Sequence, residues 1–337
     1  MKRYGNLYCK ILNEDALWEG YLEAKKSKAS KRSCLEFEKS LGRELKTLLH
    51  ELETRTYKPL PYKVFKVHEP KERVIYAPEF RDCVVQHAIY KVVMPIFERS
   101  FIDQSFACRK GKGTHKASDF CQQSLRKCSP DSYYLQLDIR KFFYNIDRDI
   151  LKTQLERKVK DKEMVDIMMM FTTHGEVKGI PIGNLLSQMY ALVYLNPLDH
   201  FIKREVAPKK LYCRYVDDFI IFGISLEEAK EYKETIERYL ISELGLSLSK
   251  SHKSKISKGI NFCGYRTWSR ARFIRKHSLY KFRKAVKQDK VDSVQSHLAH
   301  ASKTHSLQHM LNHIKEKNFE LYCKIPETYQ SRHYQAA

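Results

Sequence analysis

Asp217 and Asp218 stand side by side in the run Tyr215-Val216-Asp217-Asp218-Phe219. Two carboxylates this close raise each other's pKa unless a cation compensates them. Hard divalent ions are the natural compensation, because Mg2+ prefers carboxylate oxygens. A third acid, Asp138, lies near the end of the apolar run Tyr133-Tyr134-Leu135-Gln136-Leu137-Asp138-Ile139, 79 positions before Asp217. Acids that gather two metal ions can activate a hydroxyl and clamp a triphosphate for in-line displacement. These residue types therefore point to metal-dependent phosphoryl transfer. The plainer alternative for the dipeptide by itself is a solvated Asp-Asp turn.

Such chemistry needs elements that hold the acids together. Leu211-Tyr212-Cys213-Arg214 before the pair and Ile220-Ile221-Phe222-Gly223 after it predict strand, tight turn and strand. Tyr133 to Ile139 predicts a third strand, whose end can lie beside Asp217 in one sheet. Gly179-Ile180-Pro181-Ile182-Gly183-Asn184 predicts a turn on Pro181 and Gly183 that feeds a helix starting near Asn184. Met189, Leu192, Val193 and Tyr194 would pack that helix under the sheet. Asp147 reads as the N-cap of a helix through Leu151 and Leu155 rather than as a further ligand. Cys213 and Cys263 fall inside predicted strands, as small buried residues do.

In this order the segments resemble the reverse transcriptases, whose palm combines a strand-end Asp with a Y-x-D-D hairpin. His68-Glu69-Pro70-Lys71-Glu72-Arg73-Val74-Ile75, followed by Glu79-Phe80-Arg81-Asp82, resembles the first fingers motif, in which Lys71, Arg73 and Arg81 would reach the incoming triphosphate. Ser105-Phe106-Ala107-Cys108-Arg109-Lys110-Gly111-Lys112-Gly113 resembles the second, its glycines allowing close backbone approach to phosphate. Leu244-Gly245-Leu246-Ser247-Leu248 with Lys253 or Lys255 resembles the motif that brings a lysine to the leaving phosphate, and either lysine fits. Ile260-Asn261-Phe262-Cys263-Gly264-Tyr265 resembles the primer-grip hairpin, implicating Phe262, Gly264 and Tyr265.

The resemblance implies an α+β right-hand polymerase fold: fingers and palm of antiparallel sheet plus helices, and an α-helical thumb. It implies RNA-directed DNA polymerisation with two Mg2+ ions. Asp138, Asp217 and Asp218 would be the catalytic acids, with Asp138, the Ile139 carbonyl and Asp217 as direct ligands and Asp218 in support. Phe143 matches the position that abuts the sugar 2′-carbon, so dNTPs are the expected substrates. One of Phe142 and Phe143 is expected to be core.

Many reverse transcriptases carry Pro-Gln-Gly where this chain has Pro181-Ile182-Gly183, followed by Ser187-Gln188. An aliphatic side chain offers none of the hydrogen bonds of Gln, so Ile182 and Gln188 would contact the nucleotide with less polar checking. This variant resembles the reverse transcriptases of diversity-generating retroelements, which copy a template-repeat RNA with errors at adenines. The alternatives are a reverse transcriptase of an antiviral defence system or of group II intron-like type.

The flanks complete the outline. Leu17, Tyr21 and Ala24 mark an N-terminal helix, and Phe37, Leu41, Leu45, Leu48 and Leu52 form one apolar stripe predicting a second. Pro59 and Pro61 end this region. From Arg266 to Lys290 there are ten Lys/Arg and one acid, with Trp268, Phe273, Tyr280 and Phe282 interleaved. That pattern suits a helical thumb whose rings anchor it while cations face phosphate. The expected division is a helical extension over 1–56, fingers and palm over 57–268, and basic thumb and tail over 269–337. A chain of 337 residues is expected to hold this core without a ribonuclease H, maturase or endonuclease part.

Sixty-two Lys/Arg against forty Asp/Glu leave a formal charge of +22, which points to a polyanionic partner. Template RNA and an RNA–DNA heteroduplex are the expected partners, and the resemblance adds a small basic accessory protein. No apolar run approaches a membrane span, and no apolar leader follows Met1-Lys2-Arg3. Nine cysteines without a C-x-x-C pair suit reduced thiols in a cytoplasm rather than a zinc site.

Overall fold

The computed structural model describes residues 2–26, 28–68 and 72–330. Lys71 and the end of the tail lie outside the described residues. The strands are β1 (Lys63–Val67), β2 (Arg73–Ala77), β3 (Tyr133–Ile139), β4 (Leu211–Tyr215), β5 (Asp218–Ile224), β6 (Leu248–Lys255), β7 (Ile260–Phe262), β8 (Tyr265–Thr267) and β9 (Arg272–Ile274). The chain divides into two units, one of Met1–Asp103, Ile139–Ile202 and Ile236–Ser249, the other of Gln104–Asp138, Lys203–Thr235 and Lys250–Ala337.

The first unit is mostly helical. Asn13 caps the Glu14–Lys25 helix by accepting from the Ala16 N–H at 2.8 Å, and Leu17, Tyr21 and Ala24 are buried along its inner face. The stripe from Phe37 to Leu52, expected as one helix, is two: Arg32–Glu38 and Leu41–Glu53. The break lets Phe37 meet Phe80 edge-on, with ring centroids 5.2 Å apart, while Leu45, Leu48 and Leu52 form a separate buried row. Phe37 and Leu41 are four apart in sequence, so apolar spacing runs through the break without registering it.

β1 and β2 pair antiparallel, from Lys63 opposite Ala77 to Val67 opposite Arg73, and β1 is exposed throughout. A lone two-stranded ribbon is marginal in water, and the Tyr76 N–H ties this one to its unit by donating to the Ile182 carbonyl at 2.8 Å. The Leu185–Phe201 helix is mostly apolar and correspondingly mostly buried. Burying each of its Leu, Met and Val side chains contributes about 1.5–3 kcal/mol. As its spacing predicts, the helix starts at Asn184, whose side chain accepts from the Leu186 N–H at 3.0 Å.

The second unit carries a sheet of order β4-β5-β3-β6 and a smaller sheet of order β7-β8-β9. Phe106, Leu125, Tyr134, Ile220, Phe222 and Phe262 share one core. Phe282, Val286, Val294, Leu298, Leu307 and Leu311 share another, built around the C-terminal helices. Cys213 is buried in β4 as expected, but Cys263 is not in a strand. It occupies the β7–β8 turn at φ 49°, followed by Gly264 at φ 86°. A two-residue hairpin turn of this hand needs positive φ at both central positions.

The basic segment after this hairpin is not helical from its start. β9 comes first and pairs with β8, Tyr265 opposite Ile274, before the Lys276–Lys287 helix begins. Arg272 and Ile274 are buried while Phe273 is exposed, which is strand alternation rather than helical period. Val286 is buried in the last turn of the Lys276–Lys287 helix, and the next helix runs Val291–Ala301. Helices with antiparallel sheets make the chain α+β, as expected.

Candidate active site

β3 and β5 run antiparallel with Asp138 directly opposite Asp218, and β4 and β5 place Tyr215 opposite Asp218. Val216 and Asp217 form the tight turn between β4 and β5, with Val216 in the left-handed region at φ 58°. A β-branched residue there is strained, so something must hold the turn. Arg214 does so: it is 1% exposed, and its Nη1 donates to the Val216 carbonyl at 2.9 Å. The β4 edge is covered in turn, since the Phe106 N–H donates to the Arg214 carbonyl at 2.9 Å and the Arg214 N–H to the Gln104 carbonyl at 3.0 Å. Three carboxylates are thus carried on one turn and its neighbouring strand.

Burial pushes the Asp218 carboxyl up to about 7, and the charges of Asp138 and Asp217 add to the rise. Gln136 and Arg275 act against it. Gln136 Nε2 donates to both Asp218 oxygens, at 2.8 and 3.1 Å, and to the Asn261 carbonyl of β7 at 3.1 Å. The strand-end Asp was evident from the sequence, but Gln136 was not singled out. Its only sequence signal is that it sits two positions before Asp138, hence on the same face of β3.

Acids that hold one another's charge in partial burial suit a hard cation. Among the described residues no group of three His, Cys, Asp or Glu side chains could hold a metal ion.

The remaining candidates fall in several settings. Phe262 and Tyr265 are buried, so the β7–β8 hairpin offers its Cys263-Gly264 turn rather than those rings. The Tyr265 hydroxyl donates to the His300 carbonyl at 2.9 Å. Lys253 is exposed on β6, and Lys255 pairs with Asp131 at 3.2 Å. The Ile256 N–H donates to the Ser132 carbonyl at 2.9 Å, and the His252 ring lies 5.7 Å from that of Tyr134. Both lysines therefore sit toward the start of β3. Arg272 is likewise withdrawn from the basic surface: it is 1% exposed and donates to Asp119, Ser118 and Gln122. Arg275, Lys276, Arg283, Lys284, Lys287 and Lys290 stay exposed.

Within the first unit, Phe142 is the core member of its pair and Phe143 remains partly exposed. Ile182 is half-buried and Gln188 is exposed on the Leu185–Phe201 helix. Arg73 is exposed at the start of β2. Arg81 is engaged by Glu51, with its guanidinium over the Tyr57 ring at 5.5 Å from the centroid. Asp147 caps the Arg148–Glu156 helix, accepting from the Asp149 and Ile150 N–H groups at 2.9 and 3.2 Å.

Residues 65–267, more than half of the chain, match the family described as reverse transcriptase (RNA-dependent DNA polymerase). The chain belongs to that family. Protein YkfC of Escherichia coli is 24% identical over 290 residues, covering 71% of this chain and 74% of that protein. The group II intron-encoded protein LtrA of Lactococcus lactis is 25% identical over 214 residues, 59% of this chain but 35% of LtrA. Among solved structures, telomerase from Candida tropicalis, in complex with a fragment of telomeric RNA, is similar with a TM-score of 0.50 at 14% identity, over 85% of this chain and 57% of that one. The mixed helical and antiparallel architecture is the right-hand polymerase fold. No helix among the described residues is long and apolar enough to cross a membrane.

Proposed function

We propose that this chain is an RNA-directed DNA polymerase that copies a template-repeat RNA into cDNA with errors concentrated at adenines. The residues Asp138 and Asp217, with the Ile139 carbonyl, would hold two Mg2+ ions, which when bound neutralise triphosphate charge and activate the primer 3′-hydroxyl. Asp218, held by Gln136, supports that pair. Phe143 would close the space a ribose 2′-hydroxyl needs, and Arg73 would reach toward the triphosphate, the role the resemblance also gives to Lys71. Residues 57–268 would serve as fingers and palm and 269–337 as thumb. The exposed cations from Arg275 to Lys290 would lie along heteroduplex phosphates, giving binding that weakens steeply with salt.

The error-prone reading is carried by one observation: Ile182 stands where many reverse transcriptases have Gln, and its side chain offers no hydrogen bond. Without a polar contact to the incoming nucleotide, a mispaired geometry is rejected less strongly. A small basic accessory protein, cytoplasmic in location like the polymerase, belongs to this reading. Similarity to the group II intron-encoded LtrA favours a second reading, an intron-like enzyme with ordinary fidelity. Sequencing cDNA made by the purified protein on a mixed-sequence RNA separates them. Errors concentrated opposite template adenines support the first; uniformly accurate cDNA supports the second.

A further inference from the structure

Within the first unit, the segment that carries Ile182 is fastened to the helical turn that carries Phe143. The Gly179 N–H donates to the Ile146 carbonyl and the Ile180 N–H to the Phe143 carbonyl, both at 2.9 Å. The Tyr76 N–H donates to the Ile182 carbonyl at 2.8 Å, and the Val74 N–H to the Tyr144 hydroxyl at 3.4 Å. The two stretches are in close contact. Gly179 has φ 86°, and a Cβ there would lie 2.7 Å from the Tyr144 carbonyl oxygen and 2.8 Å from that of Phe143.

One side chain closes this block from the side. Arg148 Nε donates to the Gly179 carbonyl at 2.8 Å, and its Nη2 donates to the Glu176 carbonyl at 2.8 Å. The same Nη2 lies 3.2 Å from His174 Nδ1, and the His174 ring meets Tyr76 edge-on with centroids 4.8 Å apart. A rigid planar fork donating charge-assisted bonds to two carbonyls fixes a loop more tightly than a point charge can.

We infer that Arg148 is a positioning residue for nucleotide selection, clamping the loop that sets Ile182 against the Phe143 turn. The inference rests on the polymerase reading above and on the nucleotide roles proposed there for Phe143 and Ile182. Arg148 touches no substrate in this scheme. It acts by fixing the spacing between two walls of the nucleotide pocket, and displacements of about 1 Å are enough to cost large factors in rate.

The test is primer extension on an RNA template, comparing kcat/KM for a dNTP with that for the matching rNTP. In Arg148→Ala the preference for dNTP is expected to weaken roughly tenfold, with KM for dNTP rising more than kcat falls. Arg148→Lys keeps the charge without the fork and is expected to fall between. A merely structural arginine would leave that ratio alone while lowering the melting temperature. An unchanged ratio in a folded Arg148→Ala overturns the inference. If that variant does not fold, a wild-type ratio in Arg148→Lys overturns it instead. Absence of RNA-templated synthesis by the wild-type protein overturns the polymerase reading itself, so the two failures are told apart.

Discussion

Gln136 Nε2 bridges the two carboxylate oxygens of Asp218, at 2.8 and 3.1 Å, to the Asn261 carbonyl on β7. An amide whose two N–H bonds serve three acceptors is held in one orientation, and so is the carboxylate it serves. Asp218 supports the proposed ligands rather than being one of them, and partners just outside a metal's ligands are typically worth about 10–100-fold in metal affinity or activity. Gln136→Leu should therefore slow cDNA synthesis by roughly tenfold or more and raise the Mg2+ concentration needed for half-maximal rate. Initial rates across a Mg2+ titration check this, and an unshifted titration curve would leave Gln136 as a packing residue.

Phe143 is the partly exposed member of its aromatic pair, whereas Phe142 is 2% exposed. Shortening the exposed ring should open room for a 2′-hydroxyl without emptying the core. Phe143→Val should raise rNTP incorporation roughly tenfold relative to dNTP, the order expected for reshaping an apolar pocket. Competition assays with mixed nucleotides measure it, and an unchanged ratio would remove Phe143 from the sugar-facing wall.

Ile182→Gln restores a polar side chain at the position that carries the fidelity argument. Errors opposite template adenines should fall severalfold, and those opposite other bases should change less. Sequenced cDNA from both proteins gives the comparison. An identical error spectrum would mean that Ile182 only fills space.

Burial holds the His300 imidazole below the ordinary histidine range, and His115, His297 and Arg275 add positive charge around it. The ring stacks on Tyr265 with centroids 4.5 Å apart. A base whose folded-state pKa is lowered supplies stability that is present above its unfolded value, about 6.5. That stability is lost as pH falls through the folded value. The melting temperature should therefore drop between about pH 7 and pH 5. His300→Phe keeps a ring on Tyr265 and cannot protonate, so its melting temperature should fall less over that interval. Parallel curves for the two proteins would place the acid sensitivity elsewhere, His87 and His174 being similarly shifted by burial.

What the sequence made legible was local. The bounds of β3, the β4–β5 hairpin, and the caps Asp147 and Asn184 each depend on a few adjacent residues, and the structure holds all of them. What it hid depends on distant partners. Arg148 looks like a solvated helix residue until Glu176 and Gly179 arrive from about thirty positions away. Arg272 looks like one more cation in a basic run, yet Asp119 and Gln122 draw it into the core. Arg81 suits a triphosphate by type, and its pairing with Glu51 comes from a helix thirty positions earlier. Cys263 suits a strand by type because apolar residues flank it, and the positive φ of Cys263 and Gly264 makes it part of the turn in the hairpin that the segment resembles.

The most direct test is to sequence the cDNA made on a mixed-sequence RNA by the purified protein and by Asp217→Ala. The prediction is Mg2+-dependent cDNA with errors concentrated opposite adenines from the wild type, and no cDNA from Asp217→Ala despite unchanged RNA binding. Equal synthesis by both proteins would contradict the assigned carboxylates, and accurate wild-type cDNA would contradict the error-prone assignment.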